Sequence, residues 1–195
     1  LLMAHRKLLK QKNKDWQKAL GKLGSKRDWQ ELYQLIIFPV YKEGPPVLRA
    51  SLEALLKSKY PKERMIVVMA FEERYRAAAE TARVLEQEYR GKFGGYLTTM
   101  HPDGLPGEKR LKGANATWAA KKAAVYLMEK KVAFDSVIVS CFDADTCVEE
   151  QYFGCLAYHF LTAPKPHQAS YQPIPVYNNN IWYAPSFARI VETSA

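Results

Sequence analysis

Apolar positions along the chain change their period repeatedly, and each change marks a predicted element. The run Leu35-Ile36-Ile37-Phe38, within a segment that opens near Tyr33, is short and continuously apolar, as a strand buried on both faces of a parallel sheet requires. It ends at Pro39; Pro45 and Pro46 then open a helix carrying Leu48, Leu52 and Leu55 on one side, and Pro61 closes that unit. Met65 to Met69 repeats the buried-strand pattern. Tyr75, Ala78, Ala82, Leu85 and Tyr89 recur at helical spacing until Gly91, Gly94 and Gly95 break the run. A third strand is predicted over Tyr96 to Met100, a loop over His101 to Gly107, a helix lined by Ala116, Ala120, Ala123 and Leu127, and a fourth buried strand from Ser136 to Phe142.

Strands separated by helices of this length need crossover connections, so the predicted class is α/β, a mainly parallel sheet flanked by helices. In such sheets ligands bind beyond the carboxyl ends of the strands, and the residues that follow each strand are where chemistry is sought.

The N-terminal 30 residues follow another rule. Leu8, Leu9, Trp16, Ala19, Leu20 and Leu23 alternate with lysines, a pattern that predicts one amphipathic basic helix over residues 3–22. This arm carries most of the net charge of +9, with Arg6, Lys7, Lys10, Lys12, Lys14, Lys18, Lys22, Lys26 and Arg27 against Asp15 and Asp28. Two readings stand: a helix lying on an anionic membrane surface, or a solvated helix packing on the domain. The division expected is a basic arm over residues 1–30 and one globular domain over residues 31–195.

Composition excludes disorder and fibrous repeats, since 48% of residues are hydrophobic and apolar runs alternate with turn signals. No apolar stretch reaches the ~18 residues needed to span a bilayer. The three cysteines, Cys141, Cys147 and Cys155, stand among apolar neighbours without a CxxC pair and are expected to be buried thiols; with His159 they match no zinc-finger spacing. GxSxG, Walker and GxGxxG signatures are absent, as are nucleic-acid recognition motifs, so nucleic acid is not an expected partner.

Chemistry collects at the predicted strand ends. Asp143-Ala144-Asp145 follows the fourth strand, and two carboxylates at a sheet mouth suit a hard divalent cation that shares its remaining positions with phosphate oxygens. Tyr41 and Glu43 follow strand one and Glu72 follows strand two, an aromatic face and carboxylates fit for a nucleobase. Lys112 and Gly113 open the helix before the DxD strand, a cation for phosphate and a residue that admits close backbone approach.

Taken in order, Phe38-Pro39-Val40-Tyr41-Lys42-Glu43, Glu72, Lys112-Gly113-Ala114-Asn115, Asp143-Ala144-Asp145 and Gln172-Pro173 resemble the stations of family-2 glycosyltransferases with the GT-A fold, in the membrane-associated branch of cellulose and hyaluronan synthases. The resemblance runs from about residue 33 onward. It implies a nucleoside-diphosphate sugar donor, Mg2+ or Mn2+, a saccharide or lipid-linked acceptor, and inversion at the anomeric carbon. On it, Tyr41, Glu43 and Glu72 contact the nucleoside, Lys112 the phosphates, and Asp143 and Asp145 the ribose, diphosphate and metal, with Asp145 the direct ligand, while Pro39, Gly113 and Asn115 belong to the same nucleotide-sugar site. Gln172 and Pro173 fall on the acceptor side, next to an aromatic and amide-rich tail through Trp182. The full-length protein is expected at the cytoplasmic face of a membrane.

Two stations depart from the family, Lys42 where Asn is usual and Glu72 where Asp is usual, and they leave the base open; uridine is expected as the commonest donor nucleotide. The family also uses an Asp downstream of the DxD as general base and a Gln-x-x-Arg-Trp motif. Neither follows Asp145, which predicts a fragment that binds donor weakly or not at all and does not turn over. The DxD strand also resembles the first motif of haloacid-dehalogenase phosphatases, which need further acidic ligands where this chain offers Lys165 and no Asp. A third reading is a non-catalytic module that docks on membranes through the basic arm.

Overall fold

The computed structural model describes residues 9–24 and 28–173. Its centre is a four-stranded, all-parallel sheet in the order β3-β2-β1-β4, formed by β1 (Tyr33–Pro39), β2 (Met65–Glu72), β3 (Gly95–His101) and β4 (Val137–Cys141). Ile36 lies beside Val67 on one side and Ser140 on the other, so β1 is interior to the sheet. The Val40 amide to Ala70 (2.8 Å) and the Phe142 amide to Ile37 (3.0 Å) carry the pairing past the strand ends and hold the segments beyond them in register.

The expected α/β class is what forms. Among the described residues α2 (Pro45–Lys57), α3 (Ala78–Tyr89), α4 (Lys112–Glu129) and α5 (Tyr152–Thr162) pack around the sheet, and α1 (Trp16–Gly21) packs on α5. One face of the sheet buries Ile36, Phe38, Val67 and Met69 against α2, α3 and α5. The other buries Leu35, Ile37, Ile66 and Val68 against Ala119, Ala123 and Leu127 of α4. Each such side chain gives roughly 1.5–3 kcal/mol on burial, which is why the interior strands read as unbroken apolar runs.

The edge strands behave differently. β4 is not the fully buried strand its sequence suggests: Ile138 is buried while Val139 is 58% exposed. The cause is topological, since α4 packs over β1, β2 and β3 and leaves the outer half of β4 uncovered. Cys141 is exposed for the same reason, Cys147 is exposed in the loop beyond, and Cys155 is half-buried on α5, so the expectation of three buried thiols is corrected. The buried stripe of α4 is also shifted by one residue from that expected, with Asn115 and Ala119 in place of Ala116 and Ala120.

The single basic helix expected over residues 3–22 is interrupted within the described residues. Residues 9–12 are helical, the chain turns at 13–15, and Asp15 caps α1 by accepting from the Lys18 amide at 2.9 Å. Trp16 and Leu20 are buried against α5, with the Trp16 ring tilted against those of Tyr158 and His159 at 5.3 and 5.4 Å. A Cβ on Gly154 would sit 3.2 Å from that of Trp16, so the glycine is the seat for the tryptophan. Trp16 and Leu20 thus pack on the domain, while Leu9 is exposed and the described lysines of the arm face outward. No helix among the described residues is long and apolar enough to cross a membrane.

Candidate functional site

The connectivity locates a site before any side chain is considered. From β1 the chain steps outward to β2 and β3, then α4 returns it across the sheet to β4 on the other side of β1. The crossover direction therefore reverses between β1 and β4, and at such a switch point the segments leaving adjacent strands part and open a crevice beyond their carboxyl ends. Tyr41, Lys42 and Glu43 leave β1 there, and Asp143-Ala144-Asp145 leaves β4.

The DxD turn is anchored by its middle residue. Ala144 is buried and its carbonyl accepts from the buried hydroxyl of Ser51 on α2 at 2.7 Å, while Phe142 packs 6.0 Å from Phe38. Burying residues 142 and 144 turns Asp143 and Asp145 outward, and both are exposed. Asp143 forms an ion pair with Lys112, the first residue of α4, so the β4 tip and the start of α4 are held together. The Lys112 cation also acts on Cys141, whose thiol is pushed up by burial and drawn partly back by that charge.

The β1 and β2 ends build a second cluster. Glu72 is buried and its carboxylate pairs with Arg74. The Arg74 guanidinium lies 4.5 Å from the centre of the Tyr41 ring, Lys42 sits 5.0 Å above the same ring, and Tyr75 stands 6.0 Å away. The Glu43 carboxylate accepts from the Tyr41 amide at 2.8 Å, fixing the turn that presents the ring. Arg74 is held above its ordinary pKa chiefly by the Glu72 carboxylate. A shallow cleft of about 60 Å³ adjoins this pair, walled by the loop from Pro102 to Leu111. That loop is latched by His101 to Glu108 at 2.9 Å and by Arg110 to Asp103 at 2.9 Å.

Other residues singled out from the sequence sit apart from the opening. Pro39 is buried as the last residue of β1. Asn115 is 1% exposed and its amide donates to the Ala70 carbonyl at 2.7 Å, which ties the start of α4 to β2. Gly113 is exposed in the first turn of α4. Gln172 and Pro173 are exposed beyond α5, where Tyr171 packs 6.4 Å from Phe160; the aromatic and amide tail from Ile174 through Trp182 lies outside the described residues. Glu149 and Glu150 turn to Lys12 and Lys59, at 2.7 and 3.6 Å, and offer no base at the DxD. Arg74 and Ser51 escaped the sequence reading. A basic residue two past a strand-end acid was the available signal for the first, and a small polar residue on the apolar stripe of α2 for the second.

Among the described residues no three His, Cys, Asp or Glu side chains group to hold a metal ion. Asp143 and Asp145 are thus a two-carboxylate donor set of hard oxygens, which suits Mg2+ or Mn2+ completed by ligand phosphates and water, and does not suit a protein-only cage.

No family model matches the chain, and no curated protein matches it. Among solved structures the chain is similar to the mannosyltransferase PcManGT from Pyrobaculum calidifontis in complex with GDP-Man and Mn2+, with a TM-score of 0.45 and 18% identity. The match covers 68% of this chain and 33% of that one, so this chain spans about a third of that protein's length.

Proposed function

We propose that the crevice at the β1/β4 switch point is the donor site of an inverting glycosyltransferase that takes a nucleoside-diphosphate sugar, with a UDP-sugar as the expected donor. One observation carries this reading: a DxD turned outward at the tip of β4, with Asp143 paired to the lysine that opens α4, beside the Tyr41 and Glu72 ends of β1 and β2.

Tyr41 supplies the stacking face for the base, and Glu72 and Glu43 supply acceptors for base and ribose donors. Lys112, released from Asp143, holds the diphosphate as a point charge. Asp145, with Asp143, holds Mg2+ or Mn2+, which when bound neutralises charge on the departing diphosphate. In transfer the acceptor hydroxyl oxygen bonds to the anomeric carbon as the bond from that carbon to the diphosphate oxygen breaks. The electron pair leaves with the nucleoside diphosphate, and the hydroxyl proton passes to a base. No Asp follows Asp145, and Glu149 and Glu150 are paired elsewhere.

The acceptor is a saccharide or a lipid-linked saccharide, met on the side of Gln172 and Pro173. The proposed organisation is the basic arm of residues 1–30 followed by the donor domain of residues 31–195, working at the cytoplasmic face of a membrane. The lysines left outward by the docking of α1 favour anionic headgroups.

Calorimetric titration of UDP in the presence and absence of Mn2+ tests the donor reading. Metal-dependent binding that disappears in Asp145→Ala supports it, and binding indifferent to Mn2+ or to that substitution contradicts it.

A further inference from the structure

The docking of α1 on α5 creates a charged groove on the outside of the domain. Lys14, Lys18 and Lys22 recur every fourth residue and line an open groove of about 560 Å³ together with Leu23 and Tyr158. All three lysines are exposed. The carboxylates that touch the arm are committed elsewhere: Asp15 caps α1 through the Lys18 amide, and Glu149 pairs with Lys12 at 2.7 Å. The Lys14 ammonium is held in place, 3.8 Å from the Trp16 ring centre and 4.7 Å from that of Tyr158. Lys18 and Lys22 stand one helical turn apart and repel, so stability of α1 does not call for this stripe. A groove with three ammonium groups and one occupied carboxylate is instead fitted to an anion.

We propose that this groove is the face by which the domain meets an anionic bilayer, with lipid headgroups held by charge at Lys14, Lys18 and Lys22. The inference rests on the membrane placement proposed above and is independent of the donor reading. Three observations favour lipid over a soluble polyanion such as nucleic acid. The cations of the described arm are all lysines, hydrated point charges that suit a fluid headgroup layer and lack the guanidinium fork that grips phosphates and base edges. The rings beside the groove are not free to stack on bases, since Trp16 is buried and Tyr158 is half-buried beneath Lys14. Leu9, exposed at the start of the described arm, supplies a shallow apolar contact at the headgroup boundary. Because Trp16 and Leu20 are buried on α5, the arm keeps no continuous apolar face for deep insertion. Attachment is therefore reversible and salt-sensitive, and α4, on the opposite face of the sheet, is turned away from the bilayer.

The test is co-sedimentation of the 195-residue chain with vesicles of phosphatidylcholine, with and without phosphatidylserine. The wild-type chain should bind the phosphatidylserine vesicles, release them as salt is raised, and ignore phosphatidylcholine alone. A chain carrying Lys14→Gln, Lys18→Gln and Lys22→Gln should lose affinity on the order of a hundredfold, about fivefold for each lysine. The corresponding three Lys→Arg substitutions keep the charge and should bind like the wild type, which separates lost charge from lost folding. Lys121→Gln, Lys122→Gln and Lys130→Gln remove the same charge from the α4 side and should weaken binding by less than about threefold. Equal losses in the two glutamine chains overturn the inference, because attachment then follows net charge and not the groove. Binding that the groove variant retains overturns the inference and leaves the membrane placement standing. Absence of binding to either vesicle overturns both. Release of the chain from phosphatidylserine vesicles by an equal charge of duplex DNA assigns the groove to nucleic acid and overturns the inference as well.

Discussion

Trp16→Ala measures whether the N-terminal arm belongs to the domain it precedes. Trp16 is 2% exposed, packed against the rings of Tyr158 and His159 and seated on Gly154. Its indole N–H donates to the Gln11 carbonyl at 3.0 Å, and the Lys14 ammonium lies 3.8 Å from its ring centre. Removing a fully packed tryptophan costs about 3–5 kcal/mol through lost transfer energy and the cavity left behind. The exposed ammonium contact adds about 0.5–1 kcal/mol, and the Gln11 carbonyl, near the surface, regains water at little cost. With an m-value of about 2 kcal/mol per molar urea, the midpoint should fall by roughly 1.8–3 M. Urea unfolding followed by far-ultraviolet circular dichroism reads this directly. A loss below about 1 kcal/mol at unchanged m would refute the docking of α1 as a structural element, because a solvated helix sheds a tryptophan cheaply.

Three further outcomes follow from the packing. Gly94→Ala should destabilise by more than about 2 kcal/mol in the same assay, because an added Cβ runs into the Glu63 backbone carbonyl, which cannot swing aside. Asn115→Ala should cost about 1–2 kcal/mol in thermal or urea unfolding, since it removes a buried donor from Ala70 while the Val40 amide still serves that carbonyl. Tyr60 is pushed up from 10.0 to about 12 by burial, with its hydroxyl donating to the Leu32 carbonyl at 2.9 Å. The unfolded chain releases that proton first, so the contribution is complete below pH 10 and about 2–3 kcal/mol is lost as pH rises to 12. Tyr60→Phe should flatten that part of an alkaline stability profile, and an unchanged slope would count against the burial argument.

What could be read from the sequence depended on whether local pattern and global position agreed. β1 and β2 announce themselves because an interior strand is covered on both faces, so every residue from Leu35 to Phe38 must be apolar. The same pattern misleads for β4, where Val139 and Cys141 lie on an uncovered edge; strand order is a long-range property that a run of five residues does not encode. The Asp143 and Asp145 pair was legible because acids after an apolar run have few structural uses, and the structure adds that Ala144 is the anchor that turns both outward. Arg74 was not legible, since its contacts with Glu72 and Tyr41 arise only where the turns after β1 and β2 come together. No element is assigned from the sequence over α5, although Phe153, Leu156, Ala157 and Phe160 carry helical spacing.

The central claim is that Asp145 and a diphosphate share one cation at the tip of β4. Anomalous diffraction at the manganese edge, from crystals of this chain grown with UDP and Mn2+, tests it most directly. A manganese peak in direct coordination with Asp145 and with oxygens of both phosphates, next to a uracil ring on Tyr41, is the predicted result. Diphosphate bound elsewhere, or manganese with no carboxylate from the Asp143-Ala144-Asp145 turn, would contradict the account.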